Sequence, residues 1–230
     1  MARKIKRYER DAKVLKEEPA GVIMLAGTNL FLDESEILYE QSDFTKEKFE
    51  ADFDIKSGEW YVEDGWVVGK NPNCNPGMIV SKANYCCDVL LELKAKMVAP
   101  STHDINVMIN GEWNHEKNAR GLAYVTGLEA FWHGCIGFEK SPEYKLVAAT
   151  AMLDFNPEEE YLLQFGNANG VLFTLVNGRL GLLVFDPDPI DTSKYGKIGF
   201  EAFSSWWKFK DVKVKKLKYE KIRENYNPEF

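Results

Sequence analysis

The stretch 171–185, VLFTLVNGRLGLLVF, limits what this chain can fold into more than any other part of it. It opens on a run of β-branched and apolar residues, passes through Asn177-Gly178, and resumes its apolar character at Leu180. Asn-Gly supplies the positive φ angles of a tight turn whose twist matches that of paired strands, so the stretch reads as a β-hairpin. Val171, Phe173 and Leu175 lie on one face of the first strand, Leu172 and Val176 on the other. A strand apolar on both faces is expected at a central position in a stack of sheets.

A later strand carries a different signal. Trp207 and Phe209 share one parity, whereas Val212 and Val214 have the other. Both pairs can face inward only if an extra residue is inserted, which predicts a β-bulge near Lys210-Asp211. Lys213 and Lys215 then point outward, the usual guard of a terminal strand against edge-to-edge pairing. Upstream, Asp186-Pro187-Asp188-Pro189-Ile190-Asp191 is a rigid acidic loop. Proline cannot donate to a ladder, and aspartate favours turns.

The rest of the chain follows the same pattern. In 88–97, Val89, Leu91, Leu93, Ala95 and Met97 face in, while Asp88, Glu92, Lys94 and Lys96 face out. Trp60 and Val62 alternate, Asp64-Gly65 turns, and Trp66 and Val68 alternate again, which makes a second hairpin. Residues 71–77 hold two prolines and three asparagines and form a loop before a short strand at 78–81. Residues 22–25 and 29–32 read as short strands, 42–54 is charged and amphipathic, and nothing after 54 has a helical period. The expected fold is all-β, a two-sheet antiparallel jelly-roll sandwich. One domain is expected over 21–219, between a charged arm or short helix at 1–20 and a tail at 220–230.

Composition narrows the partners. A chain of 230 residues, 45% of them hydrophobic, can bury a substantial single core. A formal charge of −7 argues against nucleic acid and anionic membrane as partners, since both need a cationic surface. Cys74, Cys86, Cys87 and Cys135 show no CxxC spacing, which indicates neither a disulfide framework nor a zinc site. With no apolar run long enough for a leader or a spanning helix, the expected location is cytoplasmic, with reduced thiols.

Three stretches carry a resemblance: GEWYVEDGWVVGK at 58–70, MIVSKANYCCDVLLELKAK at 78–96 and YGKIGFEAFSSWWKFKDVKVKKL at 195–217. The chain resembles the concanavalin A-like lectin/glucanase superfamily and, within it, is most similar to 3-keto-disaccharide hydrolase-like domains. The matching positions are Trp60, Asp64-Gly65, Ser81, Tyr85, Asp88, Gly196, Ile198, Gly199, Phe209, Asp211, Val212 and Val214. The middle departs from the family's pattern: Asp104-Ile-Asn-Val-Met-Ile-Asn110 stands where such domains carry a Gly-rich strand ending in Arg. The resemblance implies a concanavalin A-like sandwich that holds a mono- or oligosaccharide on a concave sheet face.

The residues point to the same region. Asp104, Asn106, Met108 and Asn110 share the parity opposite to Ile105, Val107 and Ile109, and a polar face on a strand needs partners that sugar hydroxyls could supply. The chain's three histidines, His103, His115 and His133, fall in one short interval with Trp113, Trp132, Glu129 and Glu139. Indoles stack on sugar faces, and His or Glu can move protons near neutral pH. The expected catalytic residues are His133 and Glu139. The expected substrate contacts are Asn106, Asn110, Trp113, His115, Trp132 and Glu201. No Glu-x-Asp-x-Glu run of the retaining glucanases occurs. No metal ligands are assigned. Asp186, Asp188 and Asp191 suit a structural calcium by ligand type, but as a turn motif they need no metal, and that reading is favoured. Two readings stand. One is a glycoside or 3-keto-glycoside hydrolase or lyase. The other is a non-catalytic, lectin-like module or accessory subunit, working as a homo-oligomer or beside an enzyme partner.

Overall fold

The computed structural model describes residues 22–25, 27–130, 134–151 and 155–221. They fall into two compact units, one drawn from the chain ends up to Ser35 and from Lys218, the other spanning residues 36–217. The first unit is a small sheet in which β1 (Val22–Leu25) and β2 (Thr28–Phe31) form a hairpin and β2 also pairs with Tyr219–Lys221. Ser35 ties it together, donating its hydroxyl to the Phe31 carbonyl at 2.8 Å and accepting from the Lys218 N–H at 3.0 Å. The sequence reading ran one domain from 21 to 219; the division at Ser35 and Lys218 assigns these three short strands to a unit of their own.

The second unit is the sandwich. It opens with β3 (Glu36–Gln41) and helix α1 (Lys46–Asp52), whose first turn is capped by the Thr45 hydroxyl. Then come β4 (Phe53–Ile55), the hairpin β5 (Glu59–Glu63) and β6 (Trp66–Asn71), β7 (Gly77–Ser81), β8 (Val89–Met97) and β9 (Ile105–Gly111). A miniature hairpin, β10 (Trp113–Asn114) and β11 (Ala119–Arg120), precedes β12 (Ala123–Leu128), β13 (Cys135–Ser141) and β14 (Lys145–Ala151). The body closes with β15 (Glu160–Ala168), β16 (Val171–Val176), β17 (Arg179–Phe185), β18 (Lys197–Ala202) and β19 (Ser205–Lys216). Among the described residues no helix is long and apolar enough to cross a membrane.

Two antiparallel sheets form the layers. One has seven strands in the order β14-β13-β12-β9-β18-β7-β4; the other has eight, in the order β17-β16-β15-β8-β19-β6-β5 with β3 added beside β19. Their inner faces make one core: Val107, Phe138, Phe200 and Ile79 from the seven-stranded sheet meet Leu91, Phe165, Trp207 and Phe209 from the other. Phe200 and Phe209 stack across the layers with centroids 4.0 Å apart. Trp60 shows why its hairpin needs glycine. Its indole covers Gly69 so closely that a Cβ there would lie 2.3 Å from the ring, and it meets Trp207 edge-on at 6.4 Å.

Most local expectations hold and two placements do not. Asn177 and Gly178 turn with φ of 50° and 74°, and the ladder of β19 shifts register between Lys210 and Lys213, with Asp211 at φ 51°. The hairpin's first strand, β16, is internal and buried on both faces as expected, but its second, β17, is an edge strand and about half exposed. Its apolar residues have a local explanation, since the strand packs close to Ile136 of the opposite layer. Conversely β19 is a central strand, between β8 and β6. Its lysines do not guard an edge. They pair with carboxylates on the solvated face, Lys213 with Glu40 at 3.0 Å and Lys215 with Glu92 at 3.8 Å.

Candidate functional site

On the outer face of the seven-stranded sheet, period-two alternation makes a surface unlike that of its partner. One register row runs Gly137, Gly127, Asn106, Glu201, Met78, and the next runs Glu139, Val125, Met108, Gly199, Val80. Polar groups thus stand beside glycines and short apolar side chains. The other sheet shows water a row of lysines and glutamates instead. Part of this face is covered. Trp113, on the miniature hairpin, packs against Met78, Val80, Met108 and Ala123, a second small core.

The same hairpin delivers Arg120. Its guanidinium forms an ion pair with Glu201, both side chains being 5% exposed. Burial raises the Glu201 carboxyl and Arg120 pulls it back down. Glu139 lies three strands from Glu201 on the same face, 9% exposed, and forms no hydrogen bond with another described residue. Burial raises its pKa, Arg120 opposes this, and the Glu201 charge adds to it.

Asp104 closes the cluster. It sits just before β9 at φ 73°, and accepts from the Phe203 N–H at 2.8 Å and the Ser205 hydroxyl at 3.3 Å. Burial, and then the Glu201 charge, push its carboxyl well above the usual aspartate range. The Asn106 amide donates to Asp104 at 2.8 Å, while its own carbonyl oxygen, Oδ1, is buried with no hydrogen-bond partner among the described residues. That oxygen lies over the sheet at Gly127, where an added Cβ would come within 2.8 Å of it. Buried oxygens without partners are uncommon and mark places where a ligand or water is held.

The structure therefore brings together Asn106, Glu139 and Glu201 of the predicted residues, and adds Asp104 and Arg120. Arg120 went unassigned in the sequence, although one signal could have found it: between 11 and 178 it is the sole arginine among many lysines. A planar guanidinium is not interchangeable with lysine at a buried carboxylate. Trp113 is near but engaged, packed on the small core with Lys56 5.6 Å above its ring. His115 sits exposed in the hairpin turn. His133 and Trp132 lie outside the described residues. His103 lines a separate cavity of about 410 Å³, with Lys70, Pro100, Ser101 and Trp206.

Asn110 corrects the parity argument. The ladder between β9 and β18 shifts register between Lys197 and Gly199, and Asn110 adopts φ 47°. The extra residue turns its side chain inward, where the amide donates to the Cys87 carbonyl at 2.9 Å and the oxygen accepts from Asn167 at 3.0 Å. Asn110 does not share the face of Asn106 and Met108.

The acidic loop is held by protein groups. Asp186 accepts from the Tyr124 hydroxyl at 2.7 Å and pairs with Lys140 at 2.7 Å, while Asp191 accepts from the Ser193 hydroxyl at 2.6 Å. Hydrogen bonds from Ser193 and Lys194 lower the Asp191 pKa to about 2. Among the described residues no group of His, Cys, Asp and Glu is arranged to hold a metal ion. All four cysteines are unpaired thiols.

No protein-family model matches this sequence, and no curated protein matches it. Solved structures do. A galectin-like protein of unknown function from Bacillus subtilis superposes with a TM-score of 0.60 at 14% identity, covering 80% of this chain and 97% of that one. The carbohydrate binding module CBM66 from Bacillus subtilis gives 0.57 at 16% identity, over 72% of this chain and 96% of the module. A legume lectin-like domain from Entamoeba histolytica gives 0.52 at 13% identity, over 80% and 97%. At such identities the likeness defines a fold, and the fold is an antiparallel two-sheet jelly roll like that of these galectin-like and lectin-like neighbours. The glycines of the motif have structural roles within it. A Cβ on Gly196 would come within 2.7 Å of the Tyr85 and Cys86 backbone, and one on Gly199 within 3.0 Å of the Ile79 carbonyl oxygen.

Proposed function

We propose that this chain binds a small glycoside on the outer face of the seven-stranded sheet and acts on it through Glu139. One observation carries the reading: among the described residues neither the buried Asn106 carbonyl oxygen nor the Glu139 carboxyl, two strands away on the same face of glycine and apolar residues, has a hydrogen-bond partner. A sugar hydroxyl can donate to each. Structural likeness to a carbohydrate binding module supports a ligand of this class.

The resemblance to 3-keto-disaccharide hydrolase-like domains suggests a chemistry that one carboxylate can perform. A ketone at C3 of a sugar acidifies the C2 hydrogen. Glu139, ionised, takes that proton; the C–H electrons form a C1–C2 double bond and the glycosidic C–O bond breaks. The leaving oxygen recovers a proton from the Glu139 carboxylic acid or from water. Burial suits Glu139 to this task by raising its proton affinity.

A second reading, a non-catalytic lectin-like module, is favoured by one specific contact. Ordinary glycoside hydrolysis uses two carboxyl groups, and here Glu201 is closed onto Arg120. Incubation with a panel of glycosides and 3-keto-glycosides separates the two. Product formation lost in Glu139→Gln supports the enzyme; saturable binding with no product from any of them supports the module. If no sugar binds, both are wrong.

A further inference from the structure

The charge around Asn106 says which sugars this face can take. Asp104 and Glu201 adjoin it, Glu139 stands two strands away on the same face, and the one cation among these described residues, Arg120, is closed onto Glu201. Lys140, next in sequence to Glu139, turns the other way and pairs with Asp186 at 2.7 Å. Lys197 donates to the Lys82 carbonyl at 2.6 Å, and Lys56 pairs with Asp54 at 3.3 Å. Among the described residues of the cluster no basic group is left to receive an anion.

The cluster is more than a set of acids. The unpartnered Asn106 oxygen, on a residue 5% exposed, is an acceptor and calls for a donor: a hydroxyl or an ammonium. Ionised carboxylates nearby would repel a ligand carboxylate. Were they protonated, they would become hydrogen-bond donors suited to neutral hydroxyls, still with no countercharge for an anion. Both states exclude the same ligands.

We infer that the site selects neutral and amino sugars and rejects acidic ones such as uronates. The inference rests on the carbohydrate reading above and deepens it. It is tested on the full chain with matched sets of methyl glycosides in the gluco, galacto and manno series. Each set holds the hexose, its 2-amino-2-deoxy analogue and its uronic acid, and binding is read by saturation-transfer NMR and calorimetry near pH 7. In any set that binds, the uronate should be at least about tenfold weaker than the hexose, and Glu139→Gln should narrow that gap by weakening the repulsion. A uronate that binds as well as its hexose, or better, overturns the inference and leaves the carbohydrate reading standing. Failure of every set to bind overturns the carbohydrate reading and the inference with it.

Discussion

Asn167 donates its side-chain amide to the Asn110 side-chain oxygen at 3.0 Å, a buried bond between the two sheets of the sandwich. Asn167 accepts the Gly170 N–H at 2.8 Å through its own oxygen, so each amide is held at both ends. Replacing Asn110 by Ala should cost about 1–3 kcal/mol, the penalty for leaving buried partners unsatisfied. Sugar binding should persist in the variant, because Asn110 is turned away from the outer face. Urea unfolding combined with a binding assay checks both halves.

That pair also shows how far the sequence could be read. Strand parity located the bulge at Lys210-Asp211 because inward-facing aromatic and valine pairs flank it and disagree in phase. At Asn110 nothing flags the insertion: Ile109 and Gly111 continue the pattern, and only the left-handed φ of Asn110 breaks it. Glu139 and Glu201 were legible as polar residues within apolar strands. Arg120 was not, since it reaches Glu201 only once the hairpin carrying it has folded back over the sheet. The sheet order could not be read either, because the alternation of β17 and β19 fixes which side faces in and says nothing about neighbours.

Arg120→Ala should be among the most damaging single changes in the sandwich. It leaves Glu201 buried without its countercharge, at a cost of about 3–5 kcal/mol. The double variant Arg120→Met with Glu201→Leu should recover much of this loss, since an apolar pair needs no desolvation of charge. Denaturation of the native chain, Arg120→Met, Glu201→Leu and the double forms a complete cycle. A double variant less stable than Arg120→Ala would contradict the account.

Stability should fall as pH rises from mildly acidic to mildly alkaline. The pKa values of Asp104, Glu201 and Glu139 are all raised in the folded chain, so folding is favoured while they hold their protons. That contribution is fully present below their unfolded values of about 4 and is lost as pH climbs through the raised ones. Asp186 and Asp191 act with opposite sign, their pKa values being lowered, and their contribution is lost in stronger acid. Thermal melts between about pH 5 and 8 should show a declining midpoint that flattens in Asp104→Asn. A midpoint that rises over this range would count against the buried cluster.

For turnover, Glu139→Gln should lower the rate by about 10²–10⁴ while changing affinity little, the mark of a lost proton acceptor. In the native chain the rate should rise with pH through a value above the ordinary glutamate range, since only the ionised carboxylate can take the proton. Steady-state kinetics on a 3-keto-glycoside would show both effects.

Gly69→Ala should cost about 1–3 kcal/mol through collision with the Trp60 ring, an overpacking penalty. Adding Trp60→Leu should relieve the collision, and the paired variant should lose less than the two single losses combined. Simple additivity in chemical denaturation would show that the ring moves aside.

The turn at Asn177-Gly178 offers a handle for experiments on this protein. A side chain added at Gly178 meets no described atom within 4 Å, and the turn joins an edge strand to its only neighbour in the eight-stranded sheet. A short peptide tag inserted between these two residues would project into open space and leave the opposite layer's outer face unobstructed. Anchored there, the chain could be immobilised in one orientation and presented to immense libraries of glycans without modifying its thiols.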